Sequence, residues 1–84
     1  MTYVLNFSKQ AFKELAKINN PSYSNIKKAI IGLTENPRPQ GYKRLKGREG
    51  YRIRTGNYRI IYDIFDNELI INIITLGHRK DIYE

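Results

Sequence analysis

The stretch that most constrains this chain runs over residues 50–65, GYRIRTGNYRIIYDIF. Two runs, Tyr51-Arg52-Ile53-Arg54 and Tyr58-Arg59-Ile60-Ile61-Tyr62, flank Gly56-Asn57, a dipeptide suited to a two-residue hairpin turn because both positions tolerate positive φ. That turn dictates a register in which Thr55 faces Tyr58, Arg54 faces Arg59, Ile53 faces Ile60 and Arg52 faces Ile61. Side chains alternate across a strand. One face therefore carries Tyr51, Ile53, Tyr58, Ile60, Tyr62 and Ile64, and the other Arg52, Arg54, Arg59 and Ile61. Like charges set directly opposite each other destabilise a hairpin. A face that grips a polyanion has a use for them.

The rest of the chain has to bury the Tyr/Ile face. With 84 residues it is read as one small domain over 1–84, with a thin core. It has no cysteine and one histidine, which excludes disulfides, thiolate metal sites and a histidine-cluster metal site; no cofactor is expected. No signal peptide is recognisable and no apolar run approaches the ~20 residues of a membrane span, so the expectation is a soluble, cytoplasmic protein. The net charge of +7 is concentrated. Arg38, Lys43, Arg44, Lys46, Arg48, Arg52, Arg54 and Arg59 stand against one acid, Glu49, with Tyr42, Tyr51 and Tyr58 interleaved. This pattern suits nucleic acid or an acidic protein partner.

In chain order, Tyr3 to Phe7 reads as a strand. Ser8 is a candidate N-cap for a helix over Lys9 to Ile18, with Phe12, Leu15 and Ala16 as its apolar stripe and Ala11 and Ile18 as further candidates for it, and its large apolar residues are read as core. Asn20 and Pro21 open a second helix, with Tyr23, Ile26, Ala29, Ile30 and Leu33 at helical spacing. It ends near Glu35-Asn36 because Pro37 disfavours helix in its predecessor. Residues 37–50 form a basic loop anchored by Leu45, its one large aliphatic residue, and lack a phosphate-loop pattern. The hairpin follows, and Leu69 to Leu76 is a strand apolar enough to be covered on both faces or nearly so. The order β-α-α-β-β-β predicts an α+β fold, with a helix hairpin packed on one face of an antiparallel sheet that ends in a three-stranded meander. The arginine face is expected to be open.

The helix pair, Leu45-Lys46-Gly47, Tyr51-Arg52-Ile53-Arg54, Gly56 to Tyr62 and the tail Gly77-His78-Arg79-Lys80-Asp81-Ile82-Tyr83 together resemble the RelE/ParE superfamily of toxins from type II toxin–antitoxin systems. For the RelE-like branch the resemblance implies a ribosome-dependent, metal-independent mRNA endonuclease. A ribose 2′-OH attacks the adjacent phosphate and leaves a 2′,3′-cyclic phosphate. The implied catalytic residues are Arg52 and Arg54 (lysines in the best-studied members), Arg59, Arg79 and Tyr83. Lys43, Arg44, Lys46 and Arg48 are candidate RNA contacts. Arginine remains protonated, so the general base is Tyr83, His78 or a ribosomal group. The implied partners are an acidic antitoxin, the ribosome and mRNA. A ParE-like gyrase inhibitor and a catalytically silent binding module are the rival readings.

Overall fold

A computed structural model describes residues 2–78; Arg79 and Tyr83, expected to be catalytic, lie outside the described residues. Its elements are β1 (Val4–Phe7), α1 (Lys9–Ala16), α2 (Ser22–Glu35), β2 (Lys43–Arg44), β3 (Tyr51–Thr55), β4 (Tyr58–Phe65) and β5 (Ile70–His78). The strands form one five-stranded sheet in the order β1-β5-β4-β3-β2. β1 runs parallel to β5, and the other pairs are antiparallel. The α+β architecture is the expected one, but the sheet is mixed rather than antiparallel, because β1 lies parallel beside β5. The short β2 was expected to be loop: two residues are too few to carry an alternation signal, and it forms only because β3 offers an edge.

The hairpin has the register its turn dictates, from Thr55↔Tyr58 through Arg54↔Arg59 to Arg52↔Ile61. Gly56 takes φ 59°, the positive value that the turn requires. Ile53, Ile60 and Tyr62 are buried against Ile26, Ile30 and Leu33 of α2 and Ile71, Ile73 and Leu76 of β5. The second helix thus presents the stripe its sequence spacing predicts. Asn20 precedes the helix and accepts the Ser24 backbone N–H through Oδ1 at 3.2 Å. The Tyr62 hydroxyl donates to the Pro37 carbonyl at 2.7 Å, tying the end of the helical layer to the middle of the sheet.

The first helix departs from expectation. It ends at Ala16, and Phe12 is 66% exposed while Ala11 is buried completely. Ser8 caps the helix, its hydroxyl accepting from the Ala11 backbone N–H at 3.0 Å. Ser8 also ties the helix start to β5: its backbone N–H donates to Ile73 and its hydroxyl to the Ile74 carbonyl. Glu14 accepts from the Thr75 hydroxyl at 2.7 Å and the Leu76 N–H at 3.3 Å. These bonds lay α1 along the edge of β5 where β1 stops. So close an approach suits alanine at the contact and turns Phe12 outward.

On the opposite face the sheet is only partly open. Leu45 folds back onto it and packs with Ile61 and Ile74 in a second, small cluster. Its N–H donates to the Gly50 carbonyl at 3.0 Å. Gly50 holds φ 127°, and a Cβ there would stand 2.9 Å from Leu45 Cδ1, so only glycine admits the leucine at this distance.

Candidate functional site

Cross-strand partners share a face, so the register decides which side chains can converge. On the side away from the helices the first row is Lys43, Arg52, Ile61 and Thr75, and the second is Arg54, Arg59 and Gly77. Within these rows Arg54 is exposed and Arg59 half-buried. Arg52 is only 4% exposed, so it is a buried cation rather than the accessible one that the sequence suggested. It stands between Lys43 and Ile61 in the row beside the Leu45 cluster. Gly77, opposite Arg59, has no side chain to crowd the second row.

The basic loop splits between the two faces. Lys43 is exposed and pairs with Arg52, while Lys46 and Arg48 are exposed in the loop that carries Leu45. Arg44 pairs with Tyr51, and its guanidinium lies 5.9 Å from that ring's centroid, on the helix side. Arg38 stacks on the same ring at 5.4 Å and forms a two-pronged ion pair with Asp66, at 3.0 and 3.3 Å. Hydrogen bonds from Arg38 and from the Tyr3 hydroxyl hold the Asp66 carboxyl below its ordinary range. Arg38 and Arg44 therefore stabilise the aromatic stack Tyr42–Tyr51–Tyr62, whose successive centroids lie 6.1 and 5.9 Å apart.

His78 is where sequence reasoning and structure part most clearly. The tail was expected to bring it close to the arginine face. Instead it pairs with Tyr58 on the helix side, the rings meeting edge to face at 5.7 Å. The cause is a bulge. Ile61 pairs with Thr75, but the next residue, Tyr62, pairs with Ile73, leaving Ile74 as an extra residue in β5. Counting by twos from Ile71 and Ile73 would point Thr75 and Gly77 inward and His78 outward. The bulge resets the count, so Leu76 is buried and His78 follows it to the helix side.

Two features were not singled out from the sequence. Asp63, one row beyond Ile61 on the arginine side, has its carboxyl pushed upward by burial and by Glu49, against the opposing effect of Arg48. The second is a pocket of about 330 Å³ at the hairpin tip, lined by Ser22, Asn25, Thr55, Asn57, Tyr58 and His78 together with Gly56. Neither carries a sequence signal, because each is assembled by segments far apart in the chain. An apolar groove of about 250 Å³ runs between the helices and β1, lined among others by Leu5, Phe7, Phe12, Leu15, Tyr23 and Ile31. Phe12 and Ile31, 66% and 51% exposed, stand at its surface.

The chain has clear relatives. The model of a family described as the ParE toxin of type II toxin–antitoxin systems matches residues 5–83. The mRNA interferase toxin RelE of Escherichia coli strain K12 is 29% identical over 82 residues, a match covering 95% of this chain and 86% of that protein. The archaeal RelE–RelB complex of Pyrococcus horikoshii OT3 contains a chain similar at a TM-score of 0.83 and 28% identity, over 98% of this chain and all (100%) of that one. The isolated E. coli RelE toxin is similar at a TM-score of 0.79 and 28% identity, over 90% of this chain and 83% of that one.

Proposed function

The chain belongs to the RelE/ParE superfamily of toxins of type II toxin–antitoxin systems, and on that premise we propose that it is an mRNA endonuclease acting on the translating ribosome. The observation that carries this reading is the pair Arg54 and Arg59, held directly opposite each other on the face turned away from the helices. The RelE relative named an mRNA interferase supports it.

The ribose 2′-oxygen attacks the adjacent phosphorus, the bond to the 5′-oxygen breaks and that oxygen takes up a proton from water, giving a 2′,3′-cyclic phosphate and a 5′-hydroxyl. Negative charge grows on the non-bridging oxygens on the way. Fixed cations aimed at that charge lower the barrier, and guanidinium forks match phosphate oxygens. Arg54 and Arg59 take this role, and Arg79 joins them in the family assignment. Lys43, Lys46 and Arg48 hold the flanking backbone. Arg52, being buried, acts through its charge and by bracing the row. The 2′-OH proton must pass to another group, since arginine does not accept it. His78 faces the helix side, which leaves Tyr83 or a ribosomal group as acceptor. Free RNA is therefore cut slowly.

The cognate partner in this reading is an acidic antitoxin, in keeping with the RelE–RelB complex among the relatives. The groove between the helices offers Phe12 and Ile31 to its apolar residues, and Lys9, Lys13, Lys27 and Lys28 of the same helices offer charge. The second reading is a gyrase inhibitor, favoured by the ParE description of the matching family.

Mapping mRNA 5′ ends after induction separates the two. Cuts within translated codons, lost in Arg59→Ala, are the expected result. Growth arrest with intact mRNA and DNA breaks trapped on gyrase would refute the nuclease.

A further inference from the structure

The polar pocket at the hairpin tip has no part in the chemistry just described. It lies where the Gly56-Asn57 turn meets the start of α2, on the helix side of the sheet, so the same two strand ends carry Arg54 and Arg59 on one face and the pocket on the other. We propose that this pocket holds an unpaired nucleobase next to the phosphate gripped by Arg54 and Arg59, and thereby reads RNA sequence; the part concerning cleavage rests on the nuclease reading.

Its chemistry is that of base recognition. Tyr58 and His78 supply an aromatic wall, and their edge-to-face contact at 5.7 Å holds the two rings against each other. Unpaired bases are bound by stacking on such rings and by hydrogen bonds to their edges. Asn25 and Asn57 supply amides, each presenting a donor and an acceptor side by side, the arrangement that matches adenine in paired form and can match other bases singly. Ser22 and Thr55 add hydroxyls that both donate and accept. Among the described residues no carboxylate, lysine or arginine side chain lines the pocket, so none of them repels a nucleotide or competes for its phosphate. At about 330 Å³ it falls within the size range of small-ligand sites. The pairing of β3 and β4 ends at Thr55 and Tyr58, so the Gly56-Asn57 turn is where the two faces of the hairpin meet. A strand of RNA passing round it places a phosphate on one side and a neighbouring base on the other.

Two experiments test this. The first is independent of cleavage. The isotope-labelled chain is titrated with AMP, GMP, CMP and UMP, and with ribose 5-phosphate as the base-free control, while backbone and side-chain amide resonances are followed. The expected result is base-dependent shifts at Asn25, Asn57, Tyr58 and His78 that ribose 5-phosphate does not produce. Shifts confined to Arg54 and Arg59, or the same at the tip for ribose 5-phosphate, overturn the pocket as a base site. The second is cut-site mapping with Asn25→Ala and Asn25→Asp. Asn25 is exposed on α2, so both variants fold. The expected result is a change of roughly tenfold in base preference at one position beside the cut, in opposite senses for bases that need the amide donor and those that need the acceptor. An unaltered distribution of bases in both variants overturns the reading role. A wild-type chain that cuts no mRNA sinks the nuclease reading, while the mononucleotide titration still decides the pocket.

Discussion

Replacing Leu45 by alanine probes the contact that shapes the arginine face. The side chain is 7% exposed and packs with the fully buried Ile61 and with Ile74. Burying a leucine and then truncating it costs about 2–5 kcal/mol in protein cores, through lost transfer energy and the cavity left behind. This cluster has three residues and one of them sits on a surface loop that can settle, so the lower part of the range applies, about 2–3 kcal/mol. For a domain of 84 residues, each kcal/mol shifts the melting temperature by about 4–8 °C. A fall of roughly 8–24 °C follows. Gly50→Ala provides the second arm. A side chain at φ 127° carries backbone strain of about 1–3 kcal/mol. The new Cβ also lands 2.9 Å from Leu45 Cδ1, and crowding of this kind adds about 1–3 kcal/mol. In the double variant the crowding disappears and the strain remains. The two changes should therefore be less than additive by about 1–3 kcal/mol, measurable by urea unfolding followed by circular dichroism. Strict additivity would refute the proposed contact. So would a Leu45→Ala loss below about 0.5 kcal/mol, the value of a surface substitution.

Three further outcomes follow from the structure. Tyr62→Phe removes the hydroxyl that donates to the buried Pro37 carbonyl and should cost about 1–2 kcal/mol in thermal unfolding, with no change in the sheet's far-ultraviolet spectrum. Asp66 has a folded pKa held below its ordinary 3.8 by Arg38 and Tyr3, so its contribution to stability is present above that value and is lost as pH falls through the folded pKa; Arg38→Ala should flatten this acid limb of the stability curve. Phe12→Ser, at a position 66% exposed, should leave folding stability within about 0.5 kcal/mol of wild type while weakening binding to the antitoxin at least tenfold by calorimetry, and unchanged affinity would remove the helix groove from that interface.

Much of the fold was legible in the chain because its signals are local. A glycine that takes positive φ at the turn, residues of alternating character on either side, and apolar residues at helical spacing in α2 each act over a few residues, and the structure realises all three. The face of Phe12 was not legible. An apolar residue at helical spacing can line a groove as well as a core, and which it does depends on how α1 docks. That docking is set by Ser8 and Glu14 bonding to β5 more than 60 positions away in sequence. Leu45 was identified as an anchor, but what it anchors to was visible only once Ile61 and Ile74 stood side by side.

For the candidate site, the sequence by itself determined that Arg54 and Arg59 oppose each other, since a two-residue turn leaves a hairpin one register. It determined too that the opposite face must be covered by helices, since its Tyr and Ile side chains are apolar. Tertiary structure decided the rest. Arg52 is buried because of what surrounds its row, and His78 faces the helices because one extra residue in β5 resets the alternation between Ile73 and Leu76. A bulge is a property of two strands paired together, and so is the pocket that results when His78 meets Tyr58 across them.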